Sequence, residues 1–135
     1  MPTLDQAFAR DLPAPYDQVF RAAAAIVPAT RLISDPLRLL AWGNDASFYR
    51  LVPKLLVIES ERELIALLAV CARVRTPVTF RAAGTSLSGQ AISDSVLVVL
   101  GDHWRGCITA GDGATITLQP GVIGAVANRQ LAPFR

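Results

Sequence analysis

The spacing of apolar residues changes along the chain, and each change marks an element. Residues 16–26 read YDQVFRAAAAI, with Val19, Phe20, Ala23 and Ala24 at helical spacing and Pro28 as a stop, which predicts a peripheral helix. Ser34-Asp35-Pro36 supplies an N-cap and a proline for a first helical position, so LRLLAW forms a short second helix closing at Gly43. Asn44 to Pro53 mixes turn formers with aromatics and reads as an irregular connection. The run LLVIE (Leu55 to Glu59) is continuously apolar, the pattern of a strand covered on both faces. Ser60 and Glu63 have capping-box spacing, and Leu64, Leu67, Leu68 and Cys71 form a helical stripe ending near Val74. After the Thr76-Pro77 turn come a strand VTFR (Val78 to Arg81), a Gly/Ser loop to Ser93 and a strand SVLVVL (Ser95 to Leu100), a βαβ arrangement. Further on, Cys107 to Ala110 and Ala114 to Gln119 flank Gly111-Asp112-Gly113 as a hairpin. Past Pro120-Gly121, the residues Val122, Ile123, Val126 and Leu131 predict a last helix. The class is α/β or α+β with a small three-strand core.

Composition narrows the function classes. Apolar residues make up 52% of the 135 positions and charged ones 18%, which argues against disorder. Thirteen Lys and Arg against eleven Asp and Glu leave a net charge of +2, too small and too dispersed for a nucleic-acid footprint. The start, MPTLDQAFARDLPAP, lacks the apolar segment of a signal peptide, and the apolar runs Ala22 to Val27 and Leu64 to Ala72 fall far short of the ~20 residues that span a bilayer. A cytoplasmic chain without a transmembrane segment is expected. Cys71 and Cys107 show no CxxC or Cys/His spacing and read as core fillers, a disulfide or metal framework being the weaker alternative.

The chemistry concentrates in Arg81-Ala82-Ala83-Gly84-Thr85-Ser86-Leu87-Ser88-Gly89-Gln90, between two strands. Small side chains let the backbone approach a ligand, glycines permit positive φ, and successive amides can form a concave anion nest. Thr85, Ser86 and Ser88 add hydroxyls. A phosphate suits such neutral donors. The loop has no Lys, which excludes a Walker A loop, and Gly84 and Gly89 lack GxGxxG spacing. A plain Ser/Gly turn explains the composition equally well. Arg81 reads either as a charge facing a diphosphate or as a solvated strand-end cation. His103 reads as a turn residue without catalytic role, and Asp45, Asp94 and Asp102 as Asx turn formers. Trp42, Phe48 and Tyr49 read as satellite core.

The run PVTFRAAGTSLSGQAISDSVLVVL resembles the phosphate loop of flavoproteins with the p-cresol methylhydroxylase/vanillyl-alcohol oxidase type of FAD-binding fold. It is most similar to the branch of flavin and iron–sulfur D-2-hydroxyacid (D-lactate, glycolate, D-2-hydroxyglutarate) dehydrogenases. DASFYRLVPKLLV, DHWRG and LQPGVIGAVANRQLAPF resemble the same branch, so the likeness covers residues 40–135. It implies an α+β fold: a helical N-terminal extension over 1–50, then over 51–135 the first, phosphate-binding subdomain, with a parallel βαβ core and a hairpin. The second subdomain of that fold is expected to be missing. It also implies FAD held at its pyrophosphate by Arg81, Ala82, Ala83, Gly84, Thr85 and Ser86, with Ser88, Gly89 and Gln90 lining the far side and Pro120, Gly121 and Val122 approaching the flavin. No His lies within Arg81 to Gln90, so noncovalent attachment is expected. Catalytic residues, metal ligands and any iron–sulfur cluster would belong to the missing part of a parent oxidoreductase, of a type that includes membrane-peripheral enzymes, that moves a hydride equivalent from substrate to FAD, and the chain alone would be inactive. The alternative is a noncatalytic truncated fragment or interaction module that self-associates or complements a partner chain.

Overall fold

The computed structural model describes residues 14–134. Helix α1 (Ala14–Ala23) leads through a short 3₁₀ turn (Ala29–Arg31) into strand β1 (Leu32–Ile33) and helix α2 (Pro36–Ala41). The Asp35 side chain caps α2 by accepting from the Arg38 amide at 2.8 Å, with Pro36 in the first helical position as the sequence predicts. Strand β2 (Leu55–Glu59), helix α3 (Glu61–Arg73), strand β3 (Val78–Arg81) and strand β4 (Val96–Leu100) follow. A hairpin of β5 (Cys107–Thr109) and β6 (Ile116–Leu118) and helix α4 (Gly124–Leu131) complete the described residues.

Strands β1 to β4 form one sheet in the order β1-β2-β4-β3. β2 and β3 run parallel to β4, so all three end on one edge, and β1 pairs antiparallel with β2. The sheet thus has four strands rather than the expected three. β1 escaped the sequence reading because two residues are too short to show a period.

The continuous apolar runs are explained by cover on both faces. On one face Leu55, Val57, Val96 and Val98 meet Val19 and Ala23 of α1 and Leu67, Val70 and Cys71 of α3. On the other, Leu56, Leu97 and Val99 meet Ile33 and Leu39, with Trp42 half-buried against them. The α3 stripe is turned slightly from its predicted position: Val70 is buried and Leu68 exposed, because α1 packs along the Val70 side. Ser60 and Glu63 make the predicted capping box. At its other end α3 closes in a Schellman motif, Thr76 N–H donating to Cys71 O at 2.9 Å and Arg75 N–H to Ala72 O at 3.2 Å. Arg75 takes the left-handed position there with φ 53°. Phe48 and Tyr49 are not satellite core: both rings are exposed on the 44–53 connection. Both cysteines are free, and burial raises the Cys71 thiol above its usual range. Among the described residues no helix is long and apolar enough to cross a membrane.

Candidate functional site

The Gly/Ser loop leaves the carboxyl end of β3, on the edge where β2 and β4 also end. That edge, outside the carboxyl ends of the strands, is where open α/β sheets take their ligands. The loop divides into two halves. Ala82, Ala83, Thr85 and Leu87 are exposed, and none of the main-chain amides from Ala82 to Leu87 donates to an acceptor among the described residues. Gly84, with φ 69°, turns the chain within this half. Thr85 and Ser88 keep hydroxyls with no partner among the described residues.

The other half is pinned from within. Ser86 Oγ accepts from the amides of Ser88 at 3.2 Å and Gln90 at 3.1 Å, and donates to Gln90 Oε1 at 3.2 Å. The Ala91 amide points to Asp45 Oδ2 at 3.4 Å, while Asp45 Oδ1 accepts from the amide and hydroxyl of Ser47. Those hydrogen bonds hold the Asp45 carboxyl below its usual range, the Ser47 hydroxyl contributing most. Gly89, at φ 72°, lies under the Tyr49 ring, where a Cβ would come within 2.8 Å of Tyr49 Cδ2. Tyr49, Arg50, Leu51, Ser88, Gly89 and Ile92 surround a shallow depression of about 270 Å³.

Arg81 is not a solvated strand-end charge. Its guanidinium folds inward over Trp42, 5.3 Å from the ring centroid, and Nη1 donates to the carbonyls of Asn44 at 2.5 Å, Ala91 at 3.3 Å and Trp42 at 3.5 Å. It braces the 42–45 turn against both ends of the loop. Gly84 makes room for it: a Cβ there would lie 2.4 Å from the guanidinium. The Asp-Ala-Ser signature at 45–47 signals the supporting Asx turn, whereas nothing in the sequence signals the inward Arg81.

The Pro120-Gly121-Val122 turn lies elsewhere on the same edge. Gly121 N–H donates to Trp104 O at 2.8 Å, Val122 N–H to Gln119 O at 3.1 Å, and Trp104 Nε1–H to the main-chain carbonyl of Glu59 at 2.6 Å. A Cβ on Gly121 would meet Trp104 O at 2.8 Å, so packing accounts for this glycine. Through Trp104 the turn is tied to the end of β2. His103 is exposed, and Asp102 pairs with Arg105 at 2.6 Å rather than forming an Asx turn. Among the described residues the Asp94 side chain has no hydrogen-bond partner.

Residues 53–135 match the FAD binding domain family. The chain belongs to that family. The match includes the free-amide half of the loop, its pinned half and the Pro120–Val122 turn. Over 119 residues this FAD binding domain chain is 33% identical to the glycolate oxidase subunit GlcD of Escherichia coli strain K12, covering 85% of this chain and 24% of that protein. Among solved structures it resembles p-cresol methylhydroxylase with substrate bound (TM-score 0.67, 10% identity, 90% of this chain and 26% of that one). It also resembles alkyldihydroxyacetonephosphate synthase (TM-score 0.69, 17% identity, 91% of this chain and 26% of that one). These likenesses show the p-cresol methylhydroxylase type of fold. The chain spans about a quarter of the length of each relative.

Proposed function

We propose that the amides of Ala82 to Leu87 hold the diphosphate of FAD, noncovalently, as one wall of the cofactor site of a flavin-dependent oxidoreductase. The observation that carries this reading is the run of exposed, unpartnered amides on a loop whose other half is fixed by Ser86, Asp45 and Arg81. A diphosphate gains several charge-assisted hydrogen bonds from donors that need no reorganisation. Thr85 and Ser88 add hydroxyls, and Gly89 and Gln90 shape the far side. Arg81 acts through its brace rather than by touching phosphate, and Pro120, Gly121 and Val122 offer a packed wall rather than donors, since both amides in that turn are already used. FAD, when bound, supplies the two-electron redox chemistry. The likeness to a glycolate oxidase subunit supports a small 2-hydroxyacid as the substrate of the whole enzyme. Exposed Ile108, Leu118, Ile123 and Phe134 would be covered by a complementing chain or a second copy.

The test is FAD binding to the 135-residue chain, followed by flavin fluorescence, with inorganic pyrophosphate and ADP as competitors. Gly84→Val forces a branched side chain into a positive-φ position and displaces the Arg81 guanidinium. It should weaken FAD binding at least about a hundredfold. Unchanged affinity, or no competition by pyrophosphate, would remove the loop from the cofactor site.

A further inference from the structure

The ligand edge carries a second polar feature, on the opposite face of the sheet. Arg81 shares the face of Leu56, Leu97 and Val99, being in register with Val99, whereas Glu59 follows Leu55 and Val57 on the α1 and α3 face. Glu59 is 2% exposed, and both of its carboxylate oxygens are buried without a hydrogen-bond partner among the described residues. The main chain of the same residue has a separate task. Its carbonyl accepts from Nε1–H of the buried Trp104 at 2.6 Å, and Trp104 O in turn accepts from Gly121 N–H at 2.8 Å. One residue therefore joins an unpartnered buried acid to the tie that holds the Pro120–Val122 turn.

The surroundings suit the neutral acid. Burial raises the Glu59 carboxyl to about 7, Glu63 of α3 pushes in the same direction and Arg31 of the 3₁₀ turn opposes it. Arg31 is already engaged: Nη1 donates to Glu63 Oε2 at 2.7 Å and to Ile58 O at 3.1 Å, and Nη2 to Glu63 Oε1 at 2.5 Å. The Ser60 hydroxyl donates to Glu63 Oε2 at 2.9 Å. Asp102 and His103 follow β4 and border a cavity together with Glu59 and Glu63, and Asp102 is paired with Arg105. An ionised carboxylate without a partner is costly in such a place, and the cost falls when the side chain swings out to water. Glu59 and Leu100 form the last pair of the β2–β4 ladder, so this outward swing displaces the Glu59 carbonyl before any other part of the sheet.

We propose that Glu59 is a proton-operated latch on the Pro120–Val122 turn. Neutral, the side chain stays in its buried seat and the end of β2 receives the Trp104 indole. Ionised, it swings out, its carbonyl leaves Trp104 Nε1–H, and Trp104 and the turn come free of β2 together. One proton passes to solvent for each latch that opens, so rising pH drives the opening. The link to the cofactor rests on the proposed reading of the turn as a wall of the FAD site: on that reading the latch makes FAD affinity fall as the pH rises through the Glu59 midpoint.

The experiment follows the 135-residue chain by NMR across pH, reading the Glu59 carboxyl carbon, the Trp104 indole N–H and the Gly121 amide. All three should shift with one midpoint, above the ordinary carboxylate range, and the Trp104 indole should lose at least about tenfold of its protection from hydrogen exchange over that titration. The amides of Val98 in β4 and Leu67 in α3 should not shift with it. Glu59→Gln, neutral at every pH, should hold Trp104 and Gly121 at their low-pH positions. Because an imidazole ionises in the same range, His103→Asn serves as the control and must leave the transition in place. A Glu59 carboxyl that titrates without moving Trp104, or that titrates as an ordinary carboxylate, overturns the proposal whether or not Glu59→Gln folds. So does a transition that survives in Glu59→Gln, disappears in His103→Asn or carries Val98 and Leu67 with it. None of these readouts needs FAD, so an FAD affinity that ignores pH while they hold removes the turn from the cofactor site and leaves the latch standing.

Discussion

The two polar features of the ligand edge are opposites. On one face the loop exposes a row of donors without acceptors, and on the other Glu59 holds a pair of acceptors without donors. The loop residues are exposed or half-exposed, so leaving their amides without a protein partner costs the free protein little and makes them available to a ligand. The Glu59 carboxylate is out of water, so the same lack of partners destabilises the protein and lifts the group toward its neutral form. Their supports differ as well. The loop is fixed by side chains bonded to main chain, whereas the single cation near Glu59 is already bound to Glu63. An open donor set with a rigid frame is organised before its ligand arrives, while a buried unpartnered carboxyl is relieved only by holding its proton.

The sharpest way to break this contrast is to remove the frame. Arg81→Met deletes the donor shared by the carbonyls of Asn44, Ala91 and Trp42, and urea denaturation should show a loss of about 2–3 kcal/mol. FAD affinity should fall about tenfold with it, as the loop loses its set conformation. Stability unchanged by this variant would mean that the guanidinium does not brace the loop.

A smaller effect sharpens the Glu59 side. Its carboxyl is raised from 4.5 to about 7 in the folded chain, so the stability present below pH 4.5 is lost as pH rises through 7. Glu63, held down to about 2 mainly by Arg31, works in the other direction: its contribution is present above pH 4.5 and is lost as pH falls toward 2. Thermal midpoints should therefore peak near pH 4.5 to 5 and decline on both sides. Glu59→Gln should flatten the neutral limb only, gaining on the order of 1–2 kcal/mol at pH 8 after the desolvation of its own unpartnered amide is counted. A variant that declines with pH as steeply as the parent would assign the neutral limb to another group.

Much of this was legible in the sequence, and the limits have physical causes. LLVIE and SVLVVL announce strands covered on both faces, the Ser60 and Glu63 spacing announces a helix start, and Gly84 and Gly89 mark the two positive-φ turns of the loop. β1 was hidden because Leu32 and Ile33 acquire strand character only by pairing with β2. The inward turn of Arg81 was hidden because it depends on carbonyls 10 and about 40 residues away in the chain, which no local pattern encodes. Glu59 read only as the last residue of the LLVIE run; only the fold shows that its carboxyl is buried without a partner. Phe48 and Tyr49 misled in the opposite sense, since aromatic composition suggests burial and only the course of the connection shows that both residues stay largely exposed.

The smallest effect separates two ways in which the loop hydroxyls can serve a diphosphate. Ser86 Oγ is committed within the loop, accepting from Ser88 and Gln90 and donating to Gln90, while the Thr85 hydroxyl is open to solvent. If Ser86 acts by holding the frame, Ser86→Ala should lower FAD affinity about three- to tenfold and speed hydrogen exchange at the amides of Ser88 and Gln90. Thr85→Val keeps the frame and removes only a direct donor, so its loss of affinity should come without a change in exchange. Faster exchange in Ser86→Ala with undiminished FAD affinity would show that the pinned half can loosen while the amides from Ala82 to Leu87 keep their geometry. Gly84 and the Arg81 brace would then suffice to set the cradle.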